Sequence, residues 1–265
     1  MPYTSRPYVL HEASYRQLLD LQPNLAVLPW GATEAHNYHL PYGTDVIEAT
    51  ALGEAAVGRA NEQGARCILL PTVPFGNNNQ QLTQVVTITM RSRTQQAVLH
   101  DVADSLLRQG IDRLLILNFH GGNEFKQMIA DIMLDLPIFI MQVHGWQTDP
   151  RINDVLEIKG GTHADEMETS LVMHIAPDWV KLEDADAGVP RDFTIKELGD
   201  VPGVYIPQDW AMATASSGVG DPSKSTAEKG ERILEMLTDA LVPMLVALSQ
   251  AQRGEYPYFI RTWPS

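Results

Sequence analysis

The chain has 265 residues, of which 33 are acidic and 19 are basic, so its formal net charge at pH 7 is −14. A nucleic-acid-binding protein normally needs a face rich in lysine and arginine that displaces counterions from phosphates, and this sequence has no basic run. We therefore expect no nucleic-acid partner. A composition of 44% hydrophobic and 20% charged residues is typical of a globular protein. The length suits a single domain over residues 1–265 with a large core.

The only cysteine, Cys67, lies in an apolar run that predicts a buried strand, so we expect it to pack in the core rather than act as a nucleophile. A chain with one cysteine forms no internal disulfide, which suits a reducing compartment. Residues 1–17 lack the apolar stretch of a secretory signal, and no segment approaches the about 20 apolar residues of a membrane span. These features predict a cytoplasmic protein with no membrane partner.

Short apolar runs alternate with helical patterns along the chain, which predicts βαβ units and a largely parallel sheet. Gly and Pro residues between the runs mark the ends of elements. The predicted elements are strand 25–28, helix 45–61, strand 68–70, strand 85–90, helix 92–109, strand 114–117, helix 124–134, strand 138–143, helix 164–174 and helix 225–253.

Local signals refine these boundaries. Thr44 and Ser92 are the expected N-caps of the first two predicted helices, because their hydroxyl groups can accept a bond from a free backbone N–H. Pro243 is expected to interrupt or kink the last helix. Residues 176–222 are rich in proline and glycine, which predicts a mostly irregular segment with short strands.

Histidine and carboxylate side chains cluster just after the predicted strands. In open parallel sheets, ligands bind beyond the carboxyl ends of the strands. A single loop histidine is more often a hydrogen-bonding residue than a ligand, but several of them together with carboxylates suit Zn²⁺, Mn²⁺ or Fe²⁺, and a bridging carboxylate can hold two ions about 3.5–4 Å apart. The candidate ligands are Glu34, His36, His39 and Asp45 after the first strand, His120 after strand 114–117, and His163 and Glu168 after the fourth central strand.

Three of these segments together resemble the creatininase (creatinine amidohydrolase) family. Residues 28–45 read LPWGATEAHNYHLPYGTD, residues 118–123 read NFHGGN and residues 163–170 read HADEMETS, each similar to a motif of that family. A weaker C-terminal motif is similar to residues 220–230. The motifs occur in the family's order over about residues 25–235, and any one of them alone would be a weak signal.

The resemblance implies a three-layer α/β/α sandwich with a mostly parallel central sheet. It also implies a dinuclear metal site that hydrolyses a C–N bond of a small amide or cyclic amide, with zinc expected and manganese or iron as alternatives. Carried over by position, Glu34 and His120 would hold one ion, His36 and Glu168 the other, and Asp45 would bridge them. A homo-oligomer, often a hexamer, is implied as well.

Further roles follow from the same resemblance and from side-chain chemistry. His163 is the expected catalytic residue, because an imidazole can carry a proton to the leaving nitrogen. His39 is expected to orient a ligand at the edge of the substrate pocket. The expected substrate contacts are Tyr38, His39, Asn123 and Trp146, together with residues 77–81, although Trp146 is equally compatible with packing.

The chain departs from the family at positions that bear on the substrate. Creatininase carries a Tyr-Glu pair after the metal histidine, where this chain has Gly121 and Gly122. Glu168 must then supply the missing carboxylate, and creatinine is not the expected substrate. The alternatives are a formamide deformylase, a peptide-trimming member of the family, and a metal-binding assembly protein without catalysis.

Overall fold

The computed structural model describes residues 5–199 and 201–252. Its central sheet has four parallel strands in the order β2-β1-β3-β4. The register pairs Trp30 with Asn118 and Asn118 with His144, so three strands end level with one another. The strands are β1 (Leu25–Trp30), β2 (Cys67–Leu69), β3 (Arg113–Asn118) and β4 (Phe139–His144). Each overlaps a predicted strand.

Helices connect and cover the strands. Short 3₁₀ turns lie between 145 and 154 and between 177 and 198, and residues 176–222 include one short helix. The helices are α1 (Tyr15–Leu21), α2 (Thr44–Glu62), α3 (Ser92–Arg108), α4 (Lys126–Asp135), α5 (Glu166–Ile175), α6 (Trp210–Ala213) and α7 (Ala227–Gln250).

The sheet is buried on both faces, which explains why its strands are continuous apolar runs. Alternate residues of β1 point to opposite faces: Val27 joins a core cluster with α2, α5 and α7, and Leu28 joins a second cluster with α3 and α4. Cys67 belongs to the first cluster, and burial raises the pKa of its thiol to about 12. The three-layer α/β/α sandwich expected from the sequence is confirmed.

The strand predicted over 85–90 is wrong. In this segment only Ile88 forms a bridge, with Thr33, and Val86 has a positive φ of 59°. Val85 and Val86 are exposed. Alternating β-branched residues favour a strand only when one face is buried, and here no sheet lies against them.

The two predicted N-caps are also wrong by one residue. Thr44 is the first residue of α2 and its hydroxyl donates to the carbonyl of Pro41 at 2.8 Å, so Gly43 occupies the cap position. Ser92 is likewise the first residue of α3, after Arg91. Neither cap residue makes a side-chain hydrogen bond to the helix.

The C-terminal part differs from expectation in two respects. No strand forms among the described residues of 176–222; a single bridge joins Val219 to His163. Helix α7 continues through Pro243 without interruption. Its predicted end at Arg253 lies outside the described residues.

By length and composition, α7 could cross a membrane, whereas the apolar pattern of the sequence predicted no membrane span. Its apolar residues Ile233, Leu237 and Leu241 are buried in the core cluster that also contains α2 and α5. A core helix of this kind passes the same test of length and hydropathy as a membrane span. Packing against these two helices accounts for the buried part of its apolar composition, which is 39% of its most apolar window.

Gly230 sets how closely α7 approaches α5. A Cβ at Gly230 would lie 1.9 Å from the backbone oxygen of Ser170. We expect Gly230→Ala to lower the free energy of unfolding by about 1–3 kcal/mol, because the displacement of a packed helix outweighs the helix propensity that alanine adds. Urea denaturation measures this change. Gly121→Ala, which adds the same methyl group to open space, is the control, and equal stability of the two variants would contradict the prediction.

Candidate metal centre

The candidate ligands meet at the carboxyl end of the sheet because the chain turns tightly there. Glu34 and His36 follow β1, and His120 follows β3. Gly31 brings the end of β1 against the start of α2, where a Cβ would lie 2.7 Å from the backbone nitrogen of Val46. This close approach places Asp45, in the first turn of α2, beside the loop ligands.

The last ligand candidate is placed by the start of α5. Ala164 adopts a positive φ of 51°, and the carboxylate of Asp165 accepts bonds from the backbone N–H groups of Met167 and Glu168. The helix therefore begins at Glu166 rather than at Ala164 as predicted. This cap turns the first helical turn, with Glu168, toward the cluster.

Asp45 lies at the centre of the cluster. Its Oδ1 is 2.9 Å from Nε2 of His36, and its Oδ2 is 3.1 Å from Nδ1 of His120. Oε1 of Glu34 is 2.9 Å from the same nitrogen of His120, and Oε2 of Glu168 is 3.9 Å from Nε2 of His36. The ligand atoms therefore form two groups that share Asp45: Glu34, Asp45 and His120, and His36, Asp45 and Glu168. His163 joins Glu34 and His36 in a third, overlapping group.

Backbone carbonyls orient the three histidines His36, His120 and His163. One ring nitrogen of each histidine donates a hydrogen bond to such a carbonyl. Since a carbonyl oxygen only accepts, the ring donates there, and its other nitrogen is left facing the carboxylates. Metal-binding histidines are commonly held in this way. The contacts are His36 Nδ1 to the oxygen of Glu34 at 3.2 Å, His120 Nε2 to that of Asn77 at 3.1 Å, and His163 Nε2 to that of Ala35 at 2.8 Å.

Several buried atoms of the cluster gain a hydrogen bond only if the histidine rings that face the carboxylates carry an extra proton. They include Oε1 of Glu34, Nε2 of His36 and Oδ2 of Asp45. A buried polar atom without a partner is costly, and bonds to a cation remove that cost. Carboxylate and imidazole donors suit zinc, manganese or iron, so these residues fit divalent metal ions.

The carboxylates of the cluster raise the pKa of two of its histidines, whereas burial lowers it. Burial lowers the pKa of His36, but the negative charge of Asp45, with the other carboxylates, raises it to about 10. Burial likewise lowers the pKa of His120, while Glu34 and Asp45 raise it well above its ordinary value. In the metal-free protein both rings therefore hold an extra proton at neutral pH, which a metal ion would displace.

For Glu168 and His163, the effect of burial on the pKa outweighs that of the opposite charges. Burial raises the pKa of Glu168 to about 8, and the charge of Asp165 adds to this against the effect of His36. Burial and the positive charge of His36 lower the pKa of His163 to about 4. His163 is therefore the neutral imidazole of the cluster.

A carboxylate side chain at position 122, directly after the His120-Gly121 pair, would not fit. A Cβ at Gly122 would lie 2.3 Å from the backbone oxygen of Asn77 and 2.5 Å from Nε2 of His120. A glutamate side chain has no room at this position. Glu168, which reaches the cluster from α5, is the carboxylate that completes the group around His36.

Buried polar side chains surround the ligands. The amide of Gln81 donates to Oε2 of Glu34, and Nε2 of His39 lies 2.8 Å from the hydroxyl of Thr169. Burial, followed by the charge of His36, lowers the pKa of His39 to about 4. His39 is thus a neutral residue behind the ligands, next to the helix that carries Glu168.

A cavity of about 620 Å³ opens over the cluster. Some of the predicted substrate contacts line it and others do not. Trp146 lines it, as do Asn77, Asn78, Gln80 and Gln81 from the predicted segment 77–81. His39 and Asn123 are buried and do not line it, and Tyr38 is 63% exposed outside it. The hydroxyl of Tyr38 donates to the carbonyl of Ala215, which turns the ring away from the ligands.

The side chain of Asn123 is held by hydrogen bonds within the protein. Its Oδ1 accepts bonds from the backbone of Asn77 at 3.0 Å and from the side chain of Gln95 at 2.7 Å. Its Nδ2 donates to Asn118 at 2.9 Å. These bonds tie the loop after β3 to the loop that supplies the carbonyl for His120.

The structure adds two residues that the sequence reasoning missed. The ring of Trp210 lies edge-on to that of His163, with centroids 4.8 Å apart, and no local signal indicated this contact across 47 positions. Glu48 is buried without a hydrogen bond, and its position one turn after Asp45 could have indicated it. Burial and the charge of Glu168 raise the pKa of Glu48 well above its ordinary value.

The comparison with sequences finds relatives over most of the chain. A family model described as creatinine amidohydrolase matches residues 11–245. The chain is 29% identical over 243 residues to the mycofactocin precursor peptide peptidase of Mycobacterium ulcerans (strain Agy99), a match that covers 90% of each. It is 25% identical over 251 residues to the creatinine amidohydrolase of Pseudomonas putida, covering 87% of this chain and 89% of the relative.

Solved structures share the fold. A protein of Bacteroides fragilis NCTC 9343, described as a creatinine amidohydrolase, is 37% identical, with a TM-score of 0.87 over 95% of this chain and 100% of its own. A mutant creatininase of Zn–Zn type and a manganese creatininase, both 20% identical over 93% of this chain and 100% of their own, have TM-scores of 0.75 and 0.74. The match of the family model across most of the chain shows that this protein belongs to the creatinine amidohydrolase (creatininase) family.

Proposed function

We propose that the protein is a metal-dependent hydrolase that uses two divalent ions to cleave a C–N bond of a small amide or cyclic amide. The observation that carries this proposal is the position of Asp45, whose two carboxylate oxygens face two different histidines. A carboxylate shared between two groups of ligands is the arrangement that a pair of ions requires.

The two groups of ligand atoms support a division between two sites. Glu34 and His120 would hold one ion, His36 and Glu168 would hold the other, and Asp45 would be shared by both. Bound divalent ions supply Lewis-acid activation of the substrate carbonyl and of a water molecule. Zinc is the ion that we propose, with manganese and iron as alternatives that the same donors accept.

His163 has the position of a proton carrier. Its Nδ1 lies 3.9 Å from Oε1 of Glu34, while its Nε2 is occupied by the carbonyl of Ala35. The free nitrogen therefore faces the ligands and the cavity, where it can accept a proton and return it to the leaving nitrogen. The ring of Trp210 packs against the imidazole and fixes its orientation.

Creatinine is not the substrate that we propose. The side chains that creatininase carries after the metal histidine are replaced by Gly121 and Gly122, and a cavity of about 620 Å³ exceeds what so small a ring fills. Trimming of a short peptide is the second candidate, because a relative that matches 90% of this chain is named a peptide peptidase. The homo-oligomer, the hexamer and the cytoplasmic location stay predictions.

Metal analysis with a substrate panel tests the proposal. We expect the zinc-reconstituted protein to hold two ions per chain by inductively coupled plasma mass spectrometry, and to hydrolyse at least one of a set of lactams, formamides, cyclic ureas and short peptides. His120→Ala removes a ligand and should lose both metal and turnover, whereas His100→Ala, on the outer helix α3, should lose neither. Fewer than two ions per chain would refute the dinuclear site, and full loading without any turnover would indicate the non-catalytic alternative.

His163→Gln tests the proton carrier separately. Glutamine can still donate to the carbonyl of Ala35, but it cannot carry a proton, so we expect kcat to fall by about 10²-fold or more while the metal content is unchanged. His100→Gln serves as the matched control. A variant whose kcat stays within a few-fold of the wild-type value would remove His163 from the mechanism and leave the metal site intact.

Gln81→Leu tests the support of Glu34. Leucine has a similar size but leaves Oε2 of Glu34 buried without its donor, so we expect zinc affinity to fall by about 10–100-fold. Competition with a fluorescent zinc chelator measures the dissociation constant. Gln84→Leu, in the same loop, should keep the wild-type affinity, and so unchanged binding by Gln81→Leu would contradict the role of this hydrogen bond.

A further inference from the structure

Residues 217–219 join the two segments that carry His36 and His163. The backbones of Val219 and His163 exchange two hydrogen bonds, at 2.8 and 3.2 Å. The hydroxyl of Ser217 bonds to the backbone on both sides of His36. The rings of the two histidines lie against each other, with centroids 4.2 Å apart. This short segment therefore lies where the position of a proposed metal ligand relative to the proposed proton carrier is set.

The contacts of the Ser217 hydroxyl fix the direction of its single proton. The backbone N–H of Asn37 donates to Oγ of Ser217 at 2.8 Å. Oγ in turn donates to the carbonyl of Ala35 at 3.0 Å, since a carbonyl oxygen only accepts. One side chain thus bridges the two peptide groups that flank His36.

The carbonyl oxygen of Ala35 is shared between two donors. It accepts the hydroxyl of Ser217 at 3.0 Å and Nε2 of His163 at 2.8 Å, which uses both of its lone pairs. The alternative place for the ring proton of His163 is Nδ1, which lies 3.9 Å from Oε1 of Glu34. The position of this carbonyl therefore decides which ring nitrogen of His163 holds the proton.

The backbone of Ser217 is held in an unfavourable conformation. Its φ is 69°, in the left-handed region that residues with a side chain rarely adopt, and the residue is buried. Its N–H donates to the hydroxyl of Thr214 at 3.1 Å, and that hydroxyl donates to the carbonyl of Trp210. Strained residues of this kind persist where the surrounding structure holds them, and they are frequent at functional sites. The stretch from Trp210 to Ser217 acts on His163 twice, through the Trp210 ring and through the carbonyl of Ala35.

We propose that Ser217 is a positioning residue for His163. Its hydroxyl holds the carbonyl of Ala35 so that Nε2 of the imidazole keeps its proton and Nδ1 stays free to accept one. Ser217 does not line the cavity, so it acts through His163 rather than on the substrate. This assignment rests on the proposed function, because it takes His163 as the proton carrier.

The tautomer of His163 tests the assignment without any turnover. Solid-state NMR of the full chain labelled with ¹⁵N-histidine distinguishes a protonated from an unprotonated ring nitrogen, and the signals absent from His163→Gln identify this residue. We expect the wild type to hold the proton on Nε2 alone. Ser217→Gly and Ser217→Ala should show both tautomers, because the carbonyl of Ala35 loses its second donor and Nδ1–H to Glu34 then competes. Unchanged His163 signals in both variants would overturn the proposal.

Two comparisons separate the hydroxyl from other effects. Ser217→Gly removes the hydroxyl and the backbone strain together, whereas Ser217→Ala removes the hydroxyl and keeps the strain. A change in the glycine variant alone would assign the effect to the backbone and overturn the proposal. Ser216→Ala is the matched control, since this buried neighbour donates to Asp186 at 3.0 Å and should keep the wild-type His163 signals. The same change in Ser216→Ala would indicate a general loosening of the segment, which contradicts a specific role of Ser217.

A double-mutant cycle tests whether Ser217 acts through His163. With the zinc-reconstituted enzyme and a substrate from the panel, Ser217→Gly should lower kcat by about tenfold at unchanged metal content. The same substitution in His163→Gln should cause no further loss. A full tenfold loss in both backgrounds, or a loss of metal from Ser217→Gly, would overturn the assignment to His163. If no compound of the panel is hydrolysed, the proposed function fails, while the NMR comparison still decides the role of Ser217.

Discussion

The burial of three carboxylates beside one another is the constraint on which the site depends. Glu34, Asp45 and Glu168 lie close together at the end of the sheet, where almost no water reaches them. Buried charges of one sign are stable only when positive charge lies among them or a proton neutralises one of them, as the raised pKa of Glu168 indicates in the metal-free protein. The histidines supply part of the positive charge, as protons on His36 and His120, and divalent ions would supply the rest.

The fold brings these groups together at the ends of well-packed strands and helices. Asp45 and Glu168 lie in the first turns of α2 and α5, where the free backbone N–H groups and the helix dipole favour a carboxylate. The remaining ligands follow strands that the core holds on both faces. The ligands are therefore positioned by elements whose packing does not depend on the substrate.

The walls of the cavity are built differently. They come mostly from the segment 146–162 between β4 and α5, together with the loop after β2 and Trp210, and hydrogen bonds join that loop to the backbone near Trp210. Such segments can change without disturbing the sheet. Two relatives that each match most of this chain are named for different molecules, creatinine and a precursor peptide, and differences confined to such segments would leave the sheet unchanged.

The sequence by itself determined the strands and the set of candidate ligands. Four strands were predictable because each is a short apolar run buried on both faces, and the ligands were predictable because they follow those strands in recognisable motifs. Side-chain direction in the loops was not predictable. Tyr38 lies two residues after His36, yet it points to Ala215 because of a contact across 177 positions. The position of Trp210 beside His163 and the irregular course of residues 85–90 were not predictable either, since long-range packing decides which face of an irregular segment is buried.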